Sequence, residues 1–386
     1  MKDTRKIITI FGTRPEAIKM APLVQILQDD PQIDCKVAVT AQHREMLDQV
    51  LNLFQIIPDY DLDIMRAGQS LFEITSRALL GLQQILLKEK PDLVLVHGDT
   101  STTFVGALAA YYQQIPVGHV EAGLRSGNKY APFPEEINRR LTGVLGDLHF
   151  APTKTAAENL LREGHDPENI FITGNTVIDA LLNTVKKNYR FPSATLNSID
   201  FQTRRVLVLT THRRENLGEP MQHIYLAIKE LVQEFPDIMV VFPVHKNPAV
   251  RQVAQKFLGD LERVKLIEPL DYEPFANLMN KAYLVLTDSG GLQEEAPSLG
   301  KPVLVLRDNT ERPEAVAAGT VKLVGTDKER IYQETKQLLT DNNAYNRMAH
   351  AVNPYGDGQA SRRIREALHY FWGWQKEKPE YYCGGA

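Results

Sequence analysis

The chain has 386 residues, past the roughly 250–300 at which a single hydrophobic core stops growing, and the composition of an ordinary globular protein, so two domains are expected. Its formal net charge of −4 and its lack of any extended Lys/Arg tract exclude a global attraction to nucleic acid or to an anionic membrane, so an anion site must be built locally. Two cysteines, Cys35 and Cys383, exclude a disulfide framework and lack metal-ligand spacing, which fits a reducing cytoplasm.

No apolar run approaches the ~18 residues of a membrane span, and the apolar part of "MKDTRKIITIFGTRPE" is too short for a signal-peptide core. Apolar β-branched runs of strand length alternate with helical patterns, as in βαβ units with a mainly parallel sheet. In the first half strands are predicted at residues 7–11, 36–40, 93–96, 117–120, 148–151 and 170–172. The polar, aperiodic stretch 186–205, "KKNYRFPSATLNSIDFQTRR", reads as the connection between domains. In the second half strands are predicted at 206–210, 239–242, 264–267, 284–287, 303–306 and 321–324. The fold class is therefore α/β, with an N-terminal domain of residues 1–185 and a C-terminal domain from 186 to about 360. Ligands of such sheets bind beyond the carboxyl ends of the strands, here in a cleft between the domains.

The residues that follow the predicted strands carry the chemistry. "FGTRPEAIKMAPL" places Arg14 at a helix start and Lys19 about a turn inside, which suits an anion, although a capped surface helix with solvated cations reads the same way. The second and third glycines of a dinucleotide-binding GxGxxG are missing, which argues against a nicotinamide cofactor. In "LVLVHGDTSTT", Asp99 is either a reactive acid or the cap of the next helix. "GHVEAGLRSGNKYAPFPEEINRRLTG" offers Glu121 and Arg125 after a strand, then Glu135 and Glu136 in the first turn of a helix. Pairing with Arg139 and Arg140 at i,i+4 would account for the last two acids equally well.

In the second half, "VLVLTTHRRENLGEP" sets His212, Arg213 and Arg214 behind a strand, and "VVFPVHKNP" does the same with His245. "LVLTDSGGLQEEAPSLGKPVL" ends a strand at Ser289, Gly290 and Gly291, where glycines give a phosphate access to backbone N–H groups. Glu295, one helical turn on, could accept hydrogen bonds from a ribose diol, or the segment is a plain turn with an acidic helix start. "TRPEA" at 13–17 and "ERPEA" at 311–315 echo one another, each presenting an Arg (Arg14, Arg312) just before a helix-opening Pro.

Together "FGTRPEAIKMAPL", "HGDT", "GHVEAGLR", "PFPEEINR", "THRREN" and "LTDSGGLQEEAPSLGKPVLVLRDNTERPEA" resemble the bacterial non-hydrolysing UDP-N-acetylglucosamine 2-epimerases, in order and at matching spacing from about Lys6 to Tyr370. The resemblance implies two Rossmann-like domains of GT-B type, with a helix at about 361–386 returning to the first. It implies UDP contacts from Arg14, Lys19, His212, Phe275, Ser289, Gly290, Gly291, Glu295 and Arg312. Asp99, Glu121 and Glu135 would surround the sugar as catalytic acid/base candidates, with His212 counted among the catalytic residues chiefly as a phosphate partner. It further implies activation by a second UDP-GlcNAc at Gln42, His43, Arg66, Gln69, Glu136 and His245. A homodimer acting on UDP-GlcNAc and UDP-ManNAc for surface polymer precursors is expected, with no nucleic acid, membrane, cofactor or metal. Asn309 and Leu270 depart from residues common in the family, and Leu270 leaves uracil recognition to the backbone. The rivals on the same fold are a glycosyltransferase, a hydrolysing epimerase and a UDP-sugar-binding module.

Overall fold

The computed structural model describes residues 4–41, 44–66 and 68–384. The chain forms two compact units, one holding the residues up to Asn183 and again Tyr355–Gly384, the other Thr184–Pro354.

The first unit is built on seven strands: β1 (Arg5–Phe11), β2 (Ile33–Val39), β3 (Tyr60–Asp61), β4 (Leu93–His97), β5 (Val117–Val120), β6 (Leu148–Ala151) and β7 (Ile170–Ile172). All pair in parallel, in the order β3-β2-β1-β4-β5-β6-β7. Helices cover the sheet, so its strands are buried on both faces and read as unbroken apolar runs; Leu93, Val94, Leu95 and Val96 are all fully buried. The chain winds outward from β1 through β2 to β3, then resumes on the other side with β4, so the strand order reverses between β1 and β4. That reversal opens a crevice at the carboxyl ends of these two strands.

The second unit repeats the plan with six parallel strands: β8 (Arg205–Thr210), β9 (Ile238–Pro243), β10 (Val264–Ile267), β11 (Leu284–Thr287), β12 (Val303–Val305) and β13 (Val321–Leu323). Their order is β10-β9-β8-β11-β12-β13, with the reversal between β8 and β11. Each of the twelve predicted strands is present, five with the predicted ends and the rest shifted; β2 starts at Ile33 and stops at Val39. The thirteenth, β3, is two residues long, too short to carry a periodicity.

The stretch 186–205 is not a bare connector. Phe191 is buried and stacks on Phe201 at 5.9 Å, the Asn197 side chain bonds the Phe191 backbone on both sides, and the Lys186 amide donates to Asn277 Oδ1 at 2.8 Å. Aromatic packing and local side-chain bonds hold it onto the second unit. At the other end of the chain the helix Ala360–Phe371 packs on the helix Arg14–Gln28 of the first unit, where His369 Nε2 lies 2.8 Å from Asp30.

Three neighbouring strands of the first sheet carry buried histidines. His97 ends β4, and His119 of β5 stands directly opposite His149 of β6. Burial disfavours their charged forms, pushing His97 and His149 down to about 3 and His119 to about 4. The native state thus refuses three protons that the unfolded chain accepts below pH ~6.5. Stability from this source is full above that pH and is lost as pH falls through 6.5 toward 4, by about 1.4 kcal/mol per pH unit for each histidine. Urea unfolding measured across pH 7 to 4 should show this decline, and a free energy that stays flat from 6.5 to 5 would contradict it.

Candidate active site

In the first unit the predicted residues gather at the carboxyl ends of β1, β4 and β5. Gly12 follows β1, and a Cβ there would lie 2.0 Å from Thr40 Oγ1 and 2.7 Å from Thr102 Oγ1, so close approach demands the glycine. The helix Arg14–Gln28 then starts on a capping box in which Glu16 accepts from the Gly12 and Thr13 amides at 3.1 and 2.8 Å. Glu16 also accepts from Thr100 Oγ1 at 2.8 Å and Thr103 Oγ1 at 3.2 Å, tying this turn to the one after β4. Arg14, half-buried at the helix start, has no ion-pair partner among the described residues. Lys19, one turn inside, is not solvated: its ammonium forms an ion pair with Glu121.

Glu121 follows β5 with φ of +63°, a left-handed conformation that is uncommon for a non-glycine residue and that turns its side chain back over the strand ends. Asn175 Nδ2 donates to its Oε2 at 2.8 Å, and His97 Nε2 lies 3.9 Å from the same oxygen. Neither ring nitrogen of His97 has a hydrogen-bond partner among the described residues. The Asp99 carboxylate accepts from Arg139 Nη2 at 2.5 Å, and Asn138 fixes its backbone carbonyl at 3.0 Å. Burial raises Asp99 above the usual Asp range; Arg139 and Lys19 oppose the shift, while Glu121 and Glu135 add to it. Three acids and two cations therefore share one field. Thr100, not Asp99, caps the next helix, its side chain accepting from the Thr103 amide at 3.2 Å.

The i,i+4 reading of the second acid pair holds for one acid only. Arg140 Nε donates to Glu136 Oε1 at 3.2 Å, but Arg139 reaches Asp99 and Glu136 rather than Glu135. Glu135 opens the helix Glu135–Leu145 half-buried, while Glu136 is fully buried and also accepts from the Ser126 and Gly127 amides at 2.9 and 3.3 Å. Burial works against its charge, yet these amides and Arg139 prevail and hold it below the usual Glu range.

In the second unit a buried acid organises the cations. Asp288 follows β11, is fully buried, and accepts from the His212 and Arg213 amides at 2.8 and 2.9 Å and from Asn216 Nδ2 at 3.2 Å. His212 Nδ1 lies 2.9 Å from Asp288 Oδ1, and its ring stacks on exposed His245 at 5.9 Å. Burial opposes the charge of Asp288, but His212 and the two amides hold it below the usual Asp range. Ser289 precedes the helix Gly290–Glu295, so the two glycines form its first turn rather than the turn before it. A Cβ on Gly290 would meet Glu311 Oε1 at 2.7 Å, and that carboxylate bridges Arg213 at 3.1 Å and Arg307 at 2.7 Å. Arg312 pairs with buried Glu294. Phe275 is half-buried in the helix Tyr272–Lys281.

Of the proposed second-ligand residues, Gln42 and His43 lie outside the described residues. Arg66 is exposed, and Gln69 Oε1 accepts from Arg77 at 3.3 Å. Among the described residues no group of three or more His, Cys, Asp or Glu is placed to hold a metal ion.

A sequence profile described as UDP-N-acetylglucosamine 2-epimerase matches residues 25–369. The chain is 60% identical over 379 residues to a UDP-N-acetylglucosamine 2-epimerase of Bacillus subtilis (strain 168), covering 98% of this chain and 99% of that one. The chain belongs to the UDP-N-acetylglucosamine 2-epimerase family. A crystal structure of a UDP-N-acetylglucosamine 2-epimerase matches the fold with a TM-score of 0.92 at 57% identity, over 99% of this chain and 100% of that one. Another, from Neisseria meningitidis and bound to UDP-GlcNAc, matches at 0.82 and 53%, over 94% and 99%. The fold class of this isomerase family, two Rossmann-like α/β units of GT-B type with the C-terminal helix returned to the first, is the one found here.

Sequence reasoning assigned no role to Asp288, Glu16, Glu294 and Asn175, and gave Arg139 only as an i,i+4 partner of Glu135. Asp288 and Asn175 stand just past strand ends, the position that singled out the other residues, so the signal for both was present. The partners of Arg139 and Glu294 depend on long-range packing and left no local trace. Asp288→Ala would take the shared acceptor from the His212 and Arg213 amides and from buried Asn216, and about 3 kcal/mol should be lost from the second unit in urea unfolding. A loss under 1 kcal/mol would show that Asp288 does not organise this loop.

Proposed function

We propose that the protein interconverts UDP-GlcNAc and UDP-ManNAc without net hydrolysis, by eliminating UDP to 2-acetamidoglucal and adding it back. The observation that carries this reading is the group of Asp99, Glu121 and Glu135 in one field with Lys19 and Arg139, at the strand ends beside the first sheet's reversal point.

The carbon 2 hydrogen is not beside a carbonyl, so a base alone removes it poorly. A carboxylate takes the proton as the C1–O bond breaks; the C2–H electron pair becomes the C1=C2 double bond, and the C1–O pair leaves on the diphosphate. UDP then re-adds at C1 while a carboxyl group returns a proton to the opposite face of C2. Proton delivery on two faces calls for more than one acid/base group, and the first unit supplies three candidates. Carboxylates beside C1 also favour the positive charge that develops there. UDP is assigned Arg14 and Lys19 from the first unit and His212, Phe275, Ser289, Gly290, Gly291, Glu295 and Arg312 from the second. His212, anchored by Asp288, is assigned to a phosphate rather than to the C2 proton.

A second UDP-GlcNAc is assigned Gln42, His43, Arg66, Gln69, Glu136 and His245 as an activator. The buried Glu136 holds the Ser126 and Gly127 amides, so a ligand that engages this carboxylate does so at the expense of the loop before the Glu135 helix. The product class fits the supply of precursors for surface polysaccharide or wall polymer. A homodimer is supported by the exposed apolar side chains on the mutually packed helices Leu71–Glu89, Ser101–Tyr112 and Glu135–Leu145. Phe72, Leu80, Tyr111, Tyr112, Leu141 and Val144 all stand in solvent there. No described helix is long and apolar enough to cross a membrane.

Incubation with UDP-GlcNAc alone in deuterated water should give UDP-ManNAc carrying deuterium at carbon 2, followed by NMR. Net UDP release would favour the hydrolysing alternative, and an unchanged spectrum the transferase or the binder. Glu121→Gln and Asp99→Asn should each slow the exchange by about 100-fold or more while UDP still binds. Pure UDP-ManNAc should react only after a lag that added UDP-GlcNAc abolishes; full initial rate without it would remove the activator from this account. Val144→Glu with Leu141→Glu should give a monomer by light scattering, and an unchanged mass would place any dimer contact elsewhere.

A further inference from the structure

Asn175 lies between β7 and the helix Thr176–Thr184, is buried, and ties three different elements together through its bonds. Its Nδ2 donates to Glu121 Oε2 at 2.8 Å, its Oδ1 accepts from the Val177 amide at 3.1 Å, and its own amide donates to the Tyr355 carbonyl at 2.6 Å. The helix that it opens is the last element before the chain leaves the first unit after Asn183, and Tyr355 is the residue at which the chain re-enters. The packing around this point is tight. A Cβ on Gly174 (φ +83°) would lie 3.3 Å from Gly356 Cα and 3.5 Å from the Tyr355 carbonyl; one on Gly356 (φ +151°) would lie 3.2 Å from Ile178 Cγ1 and 3.5 Å from the Asn175 amide. Outgoing helix and returning chain are thus both bonded to Asn175, the helix through its Oδ1 and the returning chain through its backbone amide, while its Nδ2 donates to Glu121.

We propose that Asn175 is a positioning residue for Glu121, fixing its carboxylate to both places where the chain passes between the units. The proposal rests on the reading of Glu121 as a proton-transfer group. An amide donor stabilises the charged carboxylate, and the same bond opposes rotation of a side chain already held in a left-handed backbone. A helix cap alone would need only Oδ1 of Asn175; the Nδ2 bond to Glu121 and the bond to Tyr355 would be incidental.

Asn175→Asp separates the two roles, because an aspartate still accepts from the Val177 amide but cannot donate to Glu121 and sets a like charge beside it. Asn175→Ala removes both. Rates of UDP-GlcNAc turnover against pH, with thermal melting as the check on folding, read the difference. For Asn175→Asp the expected result is a fall in kcat of about 10-fold or more with KM changed under about 3-fold. The acidic limb should move to higher pH by about one unit, because a carboxylate that loses a donor holds its proton more tightly. A folded Asn175→Asp protein with wild-type kcat and an unmoved acidic limb overturns the proposal. Glu121→Gln is the control on the underlying reading: wild-type deuterium exchange in that variant removes Glu121 from catalysis, and the proposal falls with it. Gly356→Ala, which touches neither Glu121 nor substrate in the assignments above, should lower kcat several-fold, because a side chain there strains the backbone at φ +151° and presses on Ile178 of the helix that Asn175 opens. Wild-type kcat in a folded Gly356→Ala protein would overturn the link to the returning chain.

Discussion

The ion pair of Lys19 and Glu121 is the constraint on which the chemistry of the first unit depends. Both side chains are largely withdrawn from water, so removing either partner strands the other charge, at a cost of about 3 kcal/mol or more. The pair has conditions of its own. Lys19 reaches Glu121 only because the helix Arg14–Gln28 begins where it does, and that start is set by Glu16, which gathers the Gly12 and Thr13 amides and two threonine hydroxyls from the turn after β4. Glu121 in turn must leave β5 in a left-handed backbone, followed by Gly123, where a Cβ would lie 2.2 Å from the Ala156 carbonyl. Three strand ends are thereby locked to one another by carboxylates.

The second unit solves a similar problem with the charges reversed. Its strand ends carry His212 and the cations Arg213, Arg307 and Arg312, and each has an acid behind or beside it: Asp288, Glu311 or Glu294. The echo between "TRPEA" and "ERPEA" is therefore one of position and not of partners. Arg14 stands at its helix start without an ion pair among the described residues, while Arg312 is committed to Glu294. A ligand that takes Arg312 competes with a buried carboxylate, whereas one that takes Arg14 competes with water.

Much of this was legible in the sequence, for a specific reason. Strands of a parallel sheet are covered on both faces and appear as continuous apolar runs, so twelve of them could be marked, and the residues after them were candidates by position alone. β3 was invisible because two residues have no pattern, and the packing of 186–205 was not foreseen because Phe191, Phe201 and Asn197 hold it by contacts that follow no period. Local rules left Asp99 undecided between cap and acid, and only the structure shows Thr100 taking the cap. The glycines have a reason that the sequence does not display: Gly12 and Gly290 keep ordinary backbone angles, and in each a neighbouring side-chain oxygen occupies the space of a Cβ.

Asp99 and Glu121 sit in environments of opposite kind although they respond to one another's charge. Glu121 receives an ammonium and an amide donor, both of which favour the ionised carboxylate. Asp99 has Arg139, but burial outweighs it and favours the proton. A reaction that removes a proton from one face of a carbon and returns one to the other needs an empty base and a filled acid at the same moment. Two carboxyl groups in equal surroundings would share a single state. Unequal solvation and unequal partners separate them, so on the proposed mechanism the bonds made by Lys19, Asn175 and Arg139 would set the protonation states as directly as the acids do.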